Sequence, residues 1–262
     1  MSQHPGVKIT VQGGGSGAGW TSTLNSIVDV GAMSEDYKQN TAKYTVPTGT
    51  TINQYKIGGS GIVIITNADN PANTTANITK ADLKSIYSTT SAALPANITA
   101  GATVVTRADA SGTADTFYKN YLGYSGQHTP AAMTGAYVYQ ATGNEGVISE
   151  VSSTAKSIGF ADMGYVFSSS TTSGYVSGIQ IVGLEDNGFQ GVVTKAQIKT
   201  GCKDYLANGK VSTGDYPLVR GLYYITNGEP SAVVKNYIQF AQSPGAQADF
   251  AAAGMFSNAD LS

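Results

Sequence analysis

Apolar and polar residues alternate over VKITVQ (residues 7–12), the pattern of a half-buried strand. The glycine-rich GGGSGAG behind it opens into GWTSTLNSI (19–27), which predicts a short helix. GIVIIT (61–66) is continuously apolar and β-branched, as strands covered on both faces are. KADLKSIY (80–87) has helical spacing, ATVVTR (102–107) predicts a second buried strand, and ADTFYKNYLG (114–123) predicts a helix ended by Gly123. A helix from about Glu145, the strand SIGFA (157–161), strand-like GIQIVGL (178–184) and LYYIT (222–226), and the helix AVVKNYIQFAQ (232–242) follow. SSSTTSG (168–174) is small, polar and aperiodic, and predicts a surface loop or a crossing between lobes. Strands alternating with helices imply parallel or mixed sheets with helices on their faces, here arranged as two α/β lobes.

A length of 262 residues with 41% hydrophobic content supplies a sizeable core. Only 12% of the residues are charged, against about a quarter in ordinary soluble proteins, so Ser, Thr, Asn, Gln and Gly must build the polar surface, as suits an exported protein. The net charge of −2, without a run of Lys or Arg, offers nothing to nucleic acid or anionic lipid and points to a small partner. One cysteine, Cys202, and two histidines, His4 and His128, exclude an internal disulfide, a CxxC site and a histidine-rich metal centre, and no cofactor is expected. Sequons at Asn73, Asn77 and Asn97 fit a surface location. The sequence has neither a signal-peptide pattern nor a membrane-spanning apolar run. It also lacks a P-loop lysine, an acidic metal pair and a supported Ser-His-Asp pattern, which argues against an enzyme.

Two stretches carry anion chemistry. Ser111, Gly112 and Thr113 stand just ahead of a helix, where free backbone N–H groups and the positive end of the dipole attract an anion, and Gly112 lets the main chain come close. The loop Gly13–Gly19, with Gly15, Ser16 and Gly17 at its centre, offers the same chemistry at another helix start. Arg107 ends the strand before the first site with a fork of donors suited to a tetrahedral oxyanion, and Asp109 is placed to hold that fork. Taken one at a time, each is equally a tight connection or a helix cap.

In order, the blocks HPGVKITVQGGGSGAGW…VDVGA, TRADASGTADTF, GNEGVISEVSSTAKSIGFADMGYV and YPLVRGLYYITNGEP…FAQSPGAQ resemble the periplasmic-type phosphate-binding proteins of ABC importers over nearly the whole chain. The resemblance implies a two-lobed fold, each lobe a mixed sheet flanked by helices, with residues 1–64 and 173–262 in one lobe and 65–172 in the other. The ligand cleft lies between the lobes. It implies an extracytoplasmic, non-enzymatic binder of inorganic phosphate that delivers to a membrane permease. Carried onto this sequence, the phosphate contacts fall on Ser16, Asp29, Arg107, Ser111, Gly112 and Thr113, with Gly15, Gly17 and Asp109 in support. Asp29 would take the proton that phosphate carries and sulfate lacks, and so filter out sulfate.

Two features depart from the resemblance. Met33, Ser34 and Glu35 follow the GA of VDVGA, bringing an acid close to the expected site. The chain also opens where the family has the last turn of its first helix, which implies that the family's first strand, anion-contacting loop and most of that helix are missing and that the chain self-associates. A binder of another oxyanion, or a cell-surface assembly protein drawing on its sixteen tyrosines, are the alternatives.

Overall fold

A computed structural model of the chain describes residues 6–69, 77–88, 103–109, 111–131, 137–168 and 174–262. Helix α1 (Ser16–Leu24) leads into β1 (Gly31–Met33), and the long strand β2 (Ile52–Asn67) follows. Next come β3 (Ile78–Thr79), α2 (Lys80–Ile86), β4 (Thr103–Arg107) and α3 (Gly112–Asp115), which continues as a π-helical segment over Thr116–Tyr121. The middle of the chain closes with β5 (Tyr137–Ala141), α4 (Gly143–Ser153), β6 (Ser157–Asp162) and α5 (Met163–Val166). The last part contains β7 (Ile179–Ile181), β8 (Leu184–Asp186), β9 (Phe189–Gly191), α6 (Lys195–Asn208), β10 (Val219–Asn227), α7 (Ala232–Gln242), α8 (Gln247–Ala252), β11 (Phe256–Ser257) and α9 (Asn258–Leu261).

Local chemistry sets several of these boundaries. Thr79 and Asp82 cap α2 reciprocally, side chain to backbone in both directions, and Thr194 and Gln197 do the same for α6. Ser111 Oγ accepts the Ala114 N–H and starts α3 two residues earlier than the apolar spacing suggests.

The strands run in the order β1-β10-β2-β6-β4-β5, with β7 and β11 also paired to β2, while β3, β8 and β9 form a small separate sheet. Both senses of pairing occur: β2 is antiparallel to β10 and β6, and β4 is parallel to β5 and β6. This is the mixed α/β architecture that the sequence implied. Strand β2 joins its two halves. Its residues up to Gly61 pair with β10, and from Ile62 onward they pair with β6 and then β7.

Burial follows the same division. One cluster, beside the first half of β2, packs Trp20, Met33, Tyr37, Tyr44, Ile52, Tyr223 and Ile225, with the Trp20 ring 5.2 Å from Tyr37 and 5.1 Å from Tyr44. A larger cluster fills the other half, where Phe117 and Phe160 stack at 4.1 Å beneath Tyr87 and Tyr118. Cys202 is buried and donates its thiol to the Ser60 carbonyl.

Three sequence expectations change. Residues 7–12 form no strand: they are largely exposed, Val11 to 85%, with no strand partner among the described residues. The alternation is real, but among the described residues no neighbouring strand uses it. The expected return to the first lobe at 173 also differs from the pairing, because β7 pairs with Ile65–Asn67 and β8 with β3, which keeps the chain with the middle segment through β9. Finally, seven of the sixteen tyrosines (37, 44, 87, 118, 121, 216 and 223) lie in the core, while Tyr137, Tyr139 and Tyr165 are exposed. Most of the loop expected over 168–174, and the sequons at Asn73 and Asn97, lie outside the described residues.

Candidate functional site

Helix α1 and strand β1 cross at almost direct backbone contact. A Cβ on Gly19 would lie 2.4 Å from the Ala32 carbonyl oxygen, and one on Gly31 would lie 2.2 Å from Thr23 Oγ1, so only glycine fits at either position. This crossing brings the start of α1 beside the end of β1. Buried Ser16 stands there with its Oγ 3.1 Å from Ser34 Oγ, and it accepts the Ser34 N–H at 3.0 Å.

The start of α3 abuts the same point. A Cβ on Gly112 would fall 2.0 Å from Ser34 Oγ, 3.2 Å from Ser16 Oγ and 3.3 Å from Arg220 Nη1. Two helix N-termini from opposite halves of the molecule therefore converge on one spot. The first-turn N–H groups of Ser16, Gly17, Gly112 and Thr113 have no acceptor among the described residues. Ser111 and Thr113 are buried beside them, and Gly15 precedes α1 without a side-chain cap.

Arg220 enters from β10. Its side chain is 9% exposed, Nη2 donates to Asp162 Oδ2 at 2.6 Å, and Nε is buried with no partner. Asp162 is held from three directions: Oδ2 also accepts from Ser60 Oγ at 2.7 Å, and Oδ1 accepts the Gly164 N–H at 2.9 Å. A buried cation with an unused donor beside two bare helix N-termini can bind an anion.

Arg107 sits at the end of β4, its fork gripped by Asp109 with Nε to Oδ1 at 2.8 Å and Nη2 to Oδ2 at 2.5 Å. That hydrogen bonding, reinforced by the Gly143 N–H, holds the Asp109 carboxyl below its ordinary range. Asn144 Oδ1 accepts from both Arg107 Nη1 (3.4 Å) and the Asp162 N–H (3.1 Å), so the two arginine–carboxylate pairs share one amide.

Beside the cradle, Glu35 is buried to 3% exposure and accepts from Lys43 at 2.7 Å, from Asn40 at 2.9 Å and from the Tyr44 hydroxyl. Burial alone would raise its pKa, but these three donors and the Lys43 charge outweigh burial and hold it below the ordinary value. Lys43 also reaches Asp115 at 2.5 Å and so ties the segment after β1 to α3.

Asp29 is not part of this cluster. Gly31 pairs with Ile225 and Met33 with Tyr223, so Ser34 continues toward the Arg220 end of β10 while Asp29 lies toward Asn227. Four residues separate Asp29 from Ser34, five steps that span up to roughly 16 Å where the chain is extended. Asp29 is exposed and its side chain makes no hydrogen bond among the described residues. Sequence reasoning missed Ser34 and Arg220. Their only signals were a small polar residue two positions past VDVGA and a lone arginine within an otherwise apolar run.

The family profile described as a PBP superfamily domain matches residues 1–244. The chain belongs to the PBP superfamily. Solved structures with the superfamily architecture superpose on nearly all of it. They include a putative phosphate ABC transporter substrate-binding protein with bound phosphate from Clostridium perfringens, with 20% identity, 98% of this chain and 90% of that chain covered, and a TM-score of 0.67. An ABC-type phosphate transport receptor from Vibrio cholerae follows, with 20% identity, 97% and 90% coverage, and a TM-score of 0.65. A possible phosphate binding protein from Planctomyces limnophilus gives 19% identity, 99% and 87% coverage, and a TM-score of 0.64. At these identities the superfamily likeness is one of fold. No curated protein matches in sequence.

Proposed function

We propose that this chain is an extracytoplasmic solute-binding protein that captures inorganic phosphate and presents it to the membrane permease of an ABC importer, without catalysing a reaction. The observation that carries this reading is Arg220, a buried guanidinium whose Nη1, left unused by Asp162, lies beside Gly112 at the point where the bare N-termini of α1 and α3 meet. In this reading, the N–H groups of Gly17, Gly112 and Thr113 and the hydroxyls of Ser16, Ser34, Ser111 and Thr113 surround the anion, and Arg220 supplies charge. Arg107, oriented by Asp109, completes the positive field through Asn144. The bound phosphate of the Clostridium perfringens protein and the phosphate-transport role of the Vibrio cholerae receptor, both of the same fold, support the choice of anion and of partner.

The two halves act as lobes that hinge where β2 changes partners, at Gly61–Ile62, and the chain returns to the first lobe after Gly191. Exposed, unpaired residues 7–12 support self-association by strand pairing, which light scattering over a concentration series tests. Core placement of seven of the sixteen tyrosines weakens the support for an assembly protein. Titration calorimetry with inorganic phosphate on protein freed of ligand by unfolding and refolding tests the binding reading. Saturable one-to-one binding is expected, and the absence of binding by folded protein would overturn it.

A further inference from the structure

We infer that the cradle takes fully ionised tetrahedral oxyanions, sulfate included, as well as phosphate. The inference rests on the binding reading above and concerns which anions that same site accepts. Discrimination between phosphate and sulfate in a desolvated site requires an acceptor for the proton that only phosphate carries. A carboxylate is the effective choice, because it rewards the protonated ligand and repels the bare one.

All seventeen acidic side chains lie among the described residues. Each one near the cradle is already held by protein donors rather than presented to a ligand. Asp162 spends Oδ2 on Arg220 and Ser60, and Oδ1 on the Gly164 N–H. Both oxygens of Asp109 are engaged by Arg107. Glu35 follows Ser34 directly, but it turns away into Lys43, Tyr44 and Asn40, and Asp115, in the first turn of α3, is held by the same Lys43. Asp29, which the sequence offered as the filter, sits at the far end of β1.

What faces Ser16 and Gly112 is Ser34. A hydroxyl can turn to accept a ligand proton, but it can equally turn to donate, and it carries no charge to repel sulfate. The cradle is thus rich in donors and indifferent to the ligand's proton. Phosphate should bind better as it loses its second proton on going from acid to mildly alkaline solution, whereas sulfate affinity should stay flat over that range.

Titration calorimetry with inorganic phosphate and sodium sulfate, each below and above neutral pH, tests this on the full chain, together with the variant Ser34→Asp. Sulfate is expected to bind within about tenfold of phosphate in the parent chain. The variant, which places a carboxylate next to Ser16, should lose sulfate by about a hundredfold or more relative to phosphate, since like charges then face each other. Tight phosphate binding with sulfate weaker by more than about a thousandfold in the parent would overturn the inference and leave the phosphate reading standing. Failure of both anions to bind folded parent protein would overturn both. If Ser34→Asp does not fold by circular dichroism, the parent's two pH series still decide: phosphate affinity falling with rising pH would show a hidden proton acceptor and refute the inference.

Discussion

Replacing Arg220 separates its two roles, one in the fold and one in anion capture. Asp162 is 0% exposed and the Arg220 side chain 9%, with 2.6 Å between them. Arg220→Met alone strands a buried carboxylate, and such losses cost about 3–5 kcal/mol. That is a large part of the 5–15 kcal/mol or so that holds most proteins folded. The single variant should therefore unfold at much lower urea, and its weak anion binding would be uninformative.

The double variant Arg220→Met/Asp162→Asn removes both charges at similar volume, and its amide oxygen can still accept the Gly164 N–H. Replacements of this kind are often neutral or stabilising, so the urea midpoint should return to about the parent value. Phosphate affinity should not return. Loss of a charge-assisted contact in a buried site is worth about 2–5 kcal/mol, or roughly 30-fold to several-thousand-fold in Kd. Urea unfolding followed by fluorescence of Trp20, and calorimetric titration of both variants, give the two numbers. A folded double variant that binds phosphate as tightly as the parent would make Arg220 a structural ion-pair member and nothing more.

Gly112→Ala puts a methyl 2.0 Å from Ser34 Oγ and drives that hydroxyl out of its place beside Ser16; titration should show at least about a tenfold loss of phosphate affinity, with a stability cost of about 1–3 kcal/mol in urea. Asp29→Asn changes an exposed side chain without partners, so stability should stay within about 0.5 kcal/mol and both phosphate and sulfate affinity should match the parent. The pKa of Glu35 is held down in the folded state, so its contribution is present above the ordinary carboxylate value of 4.5 and is lost as pH falls from there through the folded value; Glu35→Gln should flatten that acid limb of the stability curve and cost about 3 kcal/mol at neutral pH, both measured by urea unfolding across pH.

The apolar strands were the most legible part of the chain. GIVIIT, TVVTR and SIGFAD are buried along almost their whole length, and a continuous β-branched run has few other places to go. Helix starts were legible at Thr79 and Ser111, where a side chain performs the capping and helical spacing follows, whereas α6 went unread because it lies in a polar stretch, although Thr194 caps it in the same way. VKITVQ misled because alternation records which face a strand would bury and says nothing about whether a neighbour exists to pair with it. The expected helix over 114–123 hid its π-helical middle, where Phe117, Tyr118 and Tyr121 all turn into the aromatic core.

At the site, Ser16 and the Ser111–Thr113 turn could be read because helix starts are local. Arg220 could not, because its meaning lies in Asp162, 58 positions away in sequence and on a different strand. The pairing has a further consequence for how an anion is met. Arg107 and Arg220 each carry a carboxylate of their own, and Asn144 accepts from one pair while holding the backbone of the other. Two buried guanidinium groups without counter-charges would destabilise the fold by several kcal/mol each. With them, the cations are neutralised and fixed in direction before any anion arrives, and Nη1 of Arg220, which Asp162 leaves unused, is the donor beside Gly112. An entering oxyanion then meets donors that need not reorganise, so its binding energy is not spent on ordering them. Neutralising Asp162 alone should accordingly strengthen the field at the cradle while loosening Arg220, a trade that moves affinity and stability in opposite directions. No arrangement in which Arg220 served only the fold would produce that split.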